Sequence, residues 1–262
     1  MKLQAKKSLG QHFLNSPHVL SQIIDAGELK SGENVLEIGP GTGVLTKALL
    51  DSGANVIAIE KDSRAIDLLN EKFNKEISDN RLKIINGDIL EENSSFIPQK
   101  TYKIIANIPY YITGAILEKF LENENKPQKM VLLVQKEVAD RILAKDGKES
   151  VLSNSVKAFG TPKIIAKVPK GAFLPPPTVD SAILAIENVN NKLFSENNVA
   201  ISNFFKIVKA GFAHKRKFAI RNLESVSKIE NLKQIWTKNG LDEKVRAEDL
   251  TLPAWFAIAK NC

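Results

Sequence analysis

Glycine and carboxylate residues in the first quarter of the chain have the types and spacing of a site for a nucleoside-containing ligand. The run EIGPGTG at residues 37–43 lies between a predicted strand and a predicted helix, where α/β sheets bind their ligands. Glycine allows the backbone to turn tightly and to approach a bound molecule closely. Glu60 ends the next predicted strand, 21 residues after Gly39. A carboxylate at that place is suited to accept hydrogen bonds from both hydroxyls of a ribose.

The glycine spacing leaves three interpretations open. A dinucleotide fingerprint G-x-G-x-x-G counted from Gly39 requires glycine at position 44, where the chain has Val44. Glycines at 39, 41 and 43 instead leave room for an amino-acid and an adenosyl group. A dinucleotide site and a tight turn without a ligand remain the alternatives. Asp88 follows the third predicted strand, where a carboxylate either accepts from an adenine amino group or serves only the turn.

The segment Asn107-Ile108-Pro109-Tyr110 follows the fourth predicted strand and suggests chemistry on an exocyclic amine. Such an amine is a poor nucleophile because its lone pair is delocalised into the ring. The Asn107 side-chain oxygen and the Ile108 carbonyl could accept its two N–H groups, and Pro109 would fix the backbone. Tyr110 could stack on a flipped base. A strand that simply ends in a proline turn is the alternative.

Apolar segments that alternate with helical ones must position these residues. Such alternation is typical of a parallel sheet covered by helices on both faces. Two later segments, 164–168 and 181–186, flank a Pro-rich loop at 173–177 and predict an antiparallel pair that closes the sheet. The predicted strands of the parallel part are residues 34–38, 55–60, 82–85, 102–106 and 130–134, with helices over 44–50 and 64–73.

The last third of the chain predicts a small helical domain. Residues 188–198 are polar and Asn-rich, which predicts a linker. The segments 201–223, 229–239 and 246–261 have helical spacing, and Pro253 interrupts the last one. We therefore predict an α/β domain over residues 1–190 and an all-helical domain over residues 191–262.

The net charge of +7 is concentrated at the two ends of the chain. Residues 1–10 carry +3, residues 199–262 carry +6, and the stretch between them is close to neutral. A basic surface attracts nucleic-acid phosphates, although ordinary solvated lysines would give the same composition. The chain has no apolar run of about 18 residues and no secretory signal, and its single cysteine is Cys262. We expect a soluble cytoplasmic protein without disulfides and without a metal site.

These motifs resemble those of the ribosomal RNA adenine dimethyltransferases over nearly the full length of the chain. The three prolines before VDS, and the basic segment 215–223 interpreted as a helix, resemble the KsgA (RsmA) type, which acts on the small subunit. The Erm resistance enzymes of the same family act on large-subunit RNA. The matching segments are SLGQHFL at 8–14, EIGPGTG at 37–43, NIPY at 107–110, VQKEV at 134–138, AFLPPPTVDS at 172–181, GF at 211–212, KRK at 215–217, RNL at 221–223 and RAEDL at 246–250.

The resemblance implies a Rossmann-like class I methyltransferase sheet, mostly parallel with an antiparallel closing strand, and S-adenosylmethionine as cofactor, with S-adenosylhomocysteine as product. It implies dimethylation of two adjacent adenosines near the 3′ end of 16S rRNA in a 30S precursor, hence ribosome biogenesis, by a monomer. The implied cofactor contacts are His12, Leu14, Gly39, Glu60, Asp88 and Asn107. The implied catalytic residues are Asn107, which orients the amine, and Tyr110 and Phe173, which sandwich the base. The charge pattern adds Lys215, Arg216, Lys217 and Arg221 as RNA-binding residues.

Two departures from the family pattern and two alternative functions remain. Many relatives have Asn at the position of His12, and many have Tyr-Gly before the Leu-Ser pair that here follows residues 149–151. An Erm-type enzyme acting on 23S rRNA is one alternative. A non-catalytic RNA-binding assembly factor on the same fold is the other, although the intact segment 107–110 favours an enzyme.

Overall fold

The computed structural model describes residues 3–6, 9–92, 96–97, 101–226 and 232–261. Ser8, at the start of the first matching motif, and Cys262 lie outside the described residues. The chain divides into two compact units. The sheet unit comprises Met1–Ala139 and Lys163–Val189, and the helical unit comprises Asp140–Pro162 and Asn190–Cys262. The division differs from the predicted one because residues 140–162, placed by sequence in the α/β domain, group with the helical unit.

The strands of the sheet unit confirm the predicted fold class. They are β1 Phe13–Leu14, β2 Asn34–Ile38, β3 Asn55–Glu60, β4 Leu82–Asn86, β5 Tyr102–Asn107, β6 Lys129–Gln135, β7 Thr161–Val168, β8 Phe173–Leu174 and β9 Ser181–Glu187. The central sheet has the order β4-β3-β2-β5-β6-β9-β7. Strands β2 to β6 pair in parallel, and β9 pairs antiparallel with β6. The short strands β1 and β8 form a separate antiparallel pair.

The order of the strands explains where a ligand would bind. From β2 the chain proceeds outward to β3 and β4 and then returns to β5 on the other side of β2. The order therefore reverses between β2 and β5. In open α/β sheets the crevice beyond the carboxyl ends of the strands at such a reversal is the usual ligand site.

Helices on the sheet begin where local sequence satisfies their first backbone N–H groups. Ser16 accepts from Val19 N, and Pro17 begins the first helix. Asp62 caps the third helix by accepting from Arg64 N. The core between these helices and the sheet is apolar and includes Ile23, Val35 and Leu49. The helices are α1 Pro17–Gly27, α2 Val44–Asp51, α3 Ser63–Lys72, α4 Asn74–Ser78, α5 Thr113–Leu121 and α6 Lys136–Leu143.

The helical unit contains α7 Val151–Phe159, α8 Lys192–Asn197, α9 Ile201–Gly211, α10 Ala219–Val226, α11 Leu232–Lys238 and α12 Leu252–Lys260. Aromatic rings hold it together. The ring of Phe194 lies 4.9 Å from that of Phe159 and 5.4 Å from that of Phe204, measured between centroids. Phe159 thereby packs α7 against the C-terminal helices, which accounts for the grouping of residues 140–162.

Three details of the helical unit correct the sequence predictions. The predicted linker 188–198 contains α8, because Phe194 anchors this polar segment in the aromatic core. The predicted helix 201–223 is interrupted by a turn, in which Lys217 N donates to His214 O, before α10 begins at Ala219. Of the predicted helix 229–239, residues 229–231 lie outside the described residues, and α11 covers Leu232–Lys238.

No described helix is both long and apolar enough to cross a membrane. Among the described residues, no group of three or more His, Cys, Asp or Glu side chains is arranged to hold a metal ion.

Candidate active site

A pocket in the sheet unit collects most of the predicted site residues. The residues after β2, β3, β4 and β5 line it, together with the N-terminal segment 9–14. Phe173 is not among the lining residues. The predicted site residues that line the pocket are His12, Leu14, Gly39, Glu60, Asp88, Asn107 and Tyr110.

The glycine turn after β2 has the backbone conformation that its sequence predicts. Gly39, Gly41 and Gly43 have φ angles of 69°, 55° and 71°, in the left-handed region that favours glycine. A Cβ atom on Gly41 would lie 2.9 Å from the ring of Phe13. A Cβ atom on Gly39 would meet no such obstacle, since its nearest neighbours are Pro109 Cδ at 3.9 Å and the Asn107 carbonyl oxygen at 4.0 Å. Gly39 therefore faces the gap between the two sequence motifs.

Glu60 holds the backbone of this turn. Its Oε2 accepts from Gly41 N at 3.0 Å, and its Oε1 accepts from Lys61 N and Asp62 N, both at 2.9 Å. A carboxylate offers about four acceptor positions, so roughly one remains for a ligand. The prediction that Glu60 accepts hydrogen bonds from both ribose hydroxyls therefore requires that one of the hydrogen bonds from the backbone be shared or lengthened.

Glu37, at the end of β2, is a buried carboxyl group in the pocket lining. Burial raises its pKa to about 8, and the nearby Glu60 carboxylate adds to this rise. Its Oε2 has no hydrogen-bond partner among the described protein atoms. Glu37 therefore provides a buried carboxyl group with one oxygen available to a ligand or a water molecule.

Asp88 lies in the pocket but already has partners. Lys61 Nζ contacts Asp88 Oδ2 at 2.6 Å, and Leu90 N donates to Oδ1 at 2.9 Å. The hydrogen bond from Lys61 holds the pKa of Asp88 below its ordinary value. Each carboxylate oxygen keeps a further lone pair, so an adenine amino group could still be accepted.

Asn107 is oriented by the N-terminal segment. Its Nδ2 donates to the His12 carbonyl oxygen at 3.1 Å. Because the amide nitrogen is engaged in this way, the Oδ1 atom is the one left to accept from a substrate. The following residues, Ile108 to Tyr110, continue along the pocket wall.

The Tyr110 ring is held at its edge and covered on one face. Its hydroxyl forms a 2.6 Å hydrogen bond with Ser181 Oγ, and Ser181 is fully buried at the start of β9. Burial raises the pKa of Tyr110 above its ordinary value. The imidazole of His12 stacks on the ring, with centroids 5.9 Å apart and planes at 19°. Phe173, which was expected to face Tyr110, is only 3% exposed and pairs with Leu14.

The four predicted RNA-binding residues belong to the helical unit. Arg216, Lys217 and Arg221 line a shallow depression together with Phe218, whose side chain is 40% exposed. The interpretation of the basic segment 215–223 as one helix is wrong, because residues 215–217 lie in the turn before α10. Arg221 is on the helix and pairs with Glu224 at 2.8 Å.

Three residues in or beside the pocket have no role in the sequence predictions. Ser181 ends the VDS motif, but only the folded chain brings its hydroxyl to Tyr110. Glu37 begins the glycine motif, and its acidic residue type was the available signal. Tyr111 lines the pocket and is 68% exposed. Its position directly after the NIPY motif was the available sequence signal for a place in the pocket.

The chain is similar to known proteins of one family over nearly its full length. The family model described as ribosomal RNA adenine dimethylase matches residues 2–262. A protein of Dehalococcoides mccartyi named ribosomal RNA small subunit methyltransferase A is 42% identical over 257 residues, covering 97% of this chain and 87% of the relative. The protein of the same name from Mycoplasmopsis pulmonis is 37% identical, with 98% of each chain covered.

Solved structures show the same architecture. A dimethyladenosine transferase from Plasmodium falciparum superposes with a TM-score of 0.78 at 28% identity, covering 94% of this chain and 96% of that one. The 23S rRNA methyltransferase ErmE superposes with a TM-score of 0.74 at 23% identity, covering 95% and 98%. The likeness to ErmE is evidence for the fold alone.

Proposed function

The chain belongs to the ribosomal RNA adenine dimethylase family, and from that premise we propose that it dimethylates the N6 amines of two adjacent adenosines near the 3′ end of 16S rRNA. The proposed methyl donor is S-adenosylmethionine, and the proposed partner is a 30S precursor, met by a cytoplasmic monomer. One observation carries the proposal. The Asn107-to-Tyr110 segment and the glycine turn with Glu60 line the same pocket, so an amine and a methyl donor would meet there.

The pocket residues fit S-adenosylmethionine on two observations. Glu37 Oε2 is a buried acceptor without a partner in the described protein, which suits the amino group of the methionine part or a bridging water. Gly39 leaves open the gap toward Asn107 that a side chain would narrow. Glu60 and Asp88 would take the ribose and the adenine, and the His12–Leu14 backbone would close the site. When bound, the cofactor supplies a methyl group on a positively charged sulfur.

The chain's own contribution is to orient the target amine. Asn107 Oδ1 and the Ile108 carbonyl accept its two N–H groups, which draws the nitrogen lone pair out of conjugation with the ring. The nitrogen oriented in this way would be available to accept the methyl group that the bound cofactor would supply, and the methylated amine would then lose a proton to solvent. Because that proton is released readily, no general base is needed, and the rate comes from positioning and electrostatics.

Methylation of purified subunits tests this function against its two alternatives. Unmethylated small and large subunits are each incubated with the protein and S-adenosylmethionine, and the digested RNA is analysed by mass spectrometry. We expect two dimethyladenosines in 16S rRNA and none in 23S rRNA. Product in 23S rRNA would indicate an Erm-type enzyme, and subunit binding without turnover would indicate an assembly factor.

An Asn107→Ala variant provides the matched control for that experiment. It removes the acceptor for the amine without touching the helical unit, so it should lose most turnover while subunit binding persists. If the variant methylates at the wild-type rate, Asn107 does not orient the amine.

A further inference from the structure

The N-terminal segment of the pocket lining is attached to the loops on both sides of the crevice. On the side of β5, the His12 carbonyl oxygen accepts from Asn107 Nδ2 at 3.1 Å. On the side of β3, Gln11 Nε2 donates to Asp62 Oδ2 at 3.0 Å. Because β3 and β5 lie on opposite sides of β2, the segment bridges the crevice at the carboxyl end of β2. A cofactor in the pocket would lie against residues 9–11, which we call the flap.

Gln11 is the side chain that attaches the flap. Both polar atoms of its amide have partners, since Oε1 accepts from Lys6 N at 2.8 Å and Nε2 donates to Asp62. The part of the segment that follows the flap is held independently of Gln11. Asn15 N donates to Ala172 O at 2.8 Å, and β1 pairs with β8. Loss of the Gln11 side chain would therefore release the flap and leave β1 in place.

Asp62 is a rigid anchor for this attachment. It is almost fully buried, and Arg64 donates from Nε to Oδ1 at 3.0 Å and from Nη2 to Oδ2 at 2.6 Å. The hydrogen bonds from Arg64 lower the pKa of Asp62 to about 2, so the anchor is a carboxylate at neutral pH. Hydrogen bonds to a carboxylate are stronger than those between neutral groups. Asp62 N also donates to Glu60 Oε1 at 2.9 Å, which connects the anchor to the carboxylate proposed for the ribose.

On its other side the flap contacts an aromatic ring. A Cβ atom on Gly10 would lie 3.3 Å from two carbons of the Tyr111 ring, so the backbone of the flap passes close to this ring. Most of the Tyr111 side chain is exposed, and the contact therefore buries little apolar surface. The hydrogen bond from Gln11 to Asp62 is accordingly the stronger of these two attachments.

We propose that Gln11 is a positioning residue that holds the flap over the bound cofactor through its hydrogen bond to Asp62, and that it thereby slows the exchange of S-adenosylmethionine and S-adenosylhomocysteine. The inference rests on the proposed function, which supplies the identity of the cofactor. Because both ends of its amide are engaged within the protein, Gln11 acts through the position of the flap backbone. When the bond to Asp62 is lost, the flap moves away more often and the cofactor leaves faster.

Two substitutions separate the bond to Asp62 from the other contact of the side chain. Gln11→Ala removes both hydrogen bonds of the amide. Gln11→Glu keeps an acceptor for Lys6 N but places a second carboxylate against Asp62, and the two like charges repel each other. Gln234 is exposed on α11 in the helical unit and outside the pocket lining, so Gln234→Ala and Gln234→Glu are the matched controls.

Surface plasmon resonance measures the rate constants for S-adenosylhomocysteine, which lacks the positive charge on sulfur and is therefore not attracted through it to the charge introduced by Gln11→Glu. We expect it to dissociate from Gln11→Ala and Gln11→Glu roughly tenfold faster than from the wild type and the controls, equivalent to about 1.4 kcal/mol. Hydrogen exchange in the ligand-free protein should be faster in the flap of both variants, whereas β1 should keep its protection.

Three outcomes would overturn the proposal. Dissociation at the wild-type rate in both variants, even with a lowered urea midpoint, would mean that Gln11 serves only the fold. Faster dissociation in Gln11→Ala but not in Gln11→Glu would mean that the bond to Asp62 is not the one that holds the flap. If the wild type does not bind S-adenosylhomocysteine, the proposed cofactor fails, and hydrogen exchange then decides separately whether Gln11 holds the flap; equal exchange in the wild type and both variants would show that it does not.

Discussion

Replacing Glu60 with glutamine should weaken both the fold of the glycine turn and the binding of the cofactor. The carboxylate accepts three backbone N–H groups, one on Oε2 and two on Oε1. An amide has one accepting oxygen, so Glu60→Gln leaves either Gly41 N or the pair at residues 61 and 62 facing an NH₂ group. A hydrogen bond to a charged group contributes about 1.5–3 kcal/mol. Because Glu60 is almost fully buried, we expect the free energy of unfolding to fall by at least about that amount.

Urea unfolding followed by circular dichroism measures the loss, and calorimetry with S-adenosylhomocysteine measures the affinity. Asp67→Asn is the matched control, because it removes one negative charge from an exposed position on α3. If Glu60→Gln and the control unfold at the same urea concentration, the three backbone hydrogen bonds to Glu60 do not stabilise the fold as expected. A lowered midpoint with unchanged affinity would make Glu60 a structural residue and remove it from the ribose site.

Three further predictions concern stacking, charge and pH. Tyr110→Ala should lower kcat/KM by an amount equivalent to about 1–3 kcal/mol, because it removes the ring on which the base stacks. Tyr110→Phe loses only the hydrogen bond to Ser181 and should keep most of the activity. Equal losses in the two variants would mean that the hydroxyl matters more than the ring. Replacing residues 215–217 together with Ala should weaken small-subunit binding and reduce its salt slope by about two to three units, with cofactor affinity unchanged; an unaltered slope would refute docking through this segment. Since burial raises the pKa of Glu37 to about 8, the stability that its proton provides is complete below its ordinary pKa of 4.5 and is lost as pH rises toward 8. Glu37→Gln should therefore flatten the fall in urea midpoint between pH 5 and 8, and an unchanged profile would show that Glu37 titrates normally.

Sequence patterns predicted the strands and helices whose conformation depends mainly on their own residues. The five central strands are short and predominantly apolar segments, and such segments have few other conformations in which they can be buried. The prediction of a linker at 188–198 was wrong because the segment is anchored by one buried residue, Phe194, which is a single aromatic in a polar stretch. The grouping of residues 140–162 with the helical unit depends on contacts of Phe159 with distant rings, and no local pattern encodes such contacts.

In the site, too, the features that depend on neighbouring residues could be predicted, and those that depend on distant residues could not. The glycine turn and the Asn107 segment could be identified because glycine and proline have backbone requirements that a motif records. The three donors to Glu60 could not be identified, because backbone N–H groups carry no sequence signature. The position of His12 on Tyr110 depends on a contact across 98 residues of chain, and the burial of Phe173 depends on its pairing with β1.

The pairing of β1 with β8 has a consequence for the order in which the site is assembled. The two strands contribute two residue pairs and are separated by nearly 160 residues. Closing a loop of that length costs on the order of 4 kcal/mol in chain entropy, which two pairs alone hardly offset. The wall that carries His12 therefore forms after the central sheet is in place. During synthesis the N-terminal segment has to wait until residue 174 has left the ribosome, so the pocket is completed only after more than two thirds of the chain has been made.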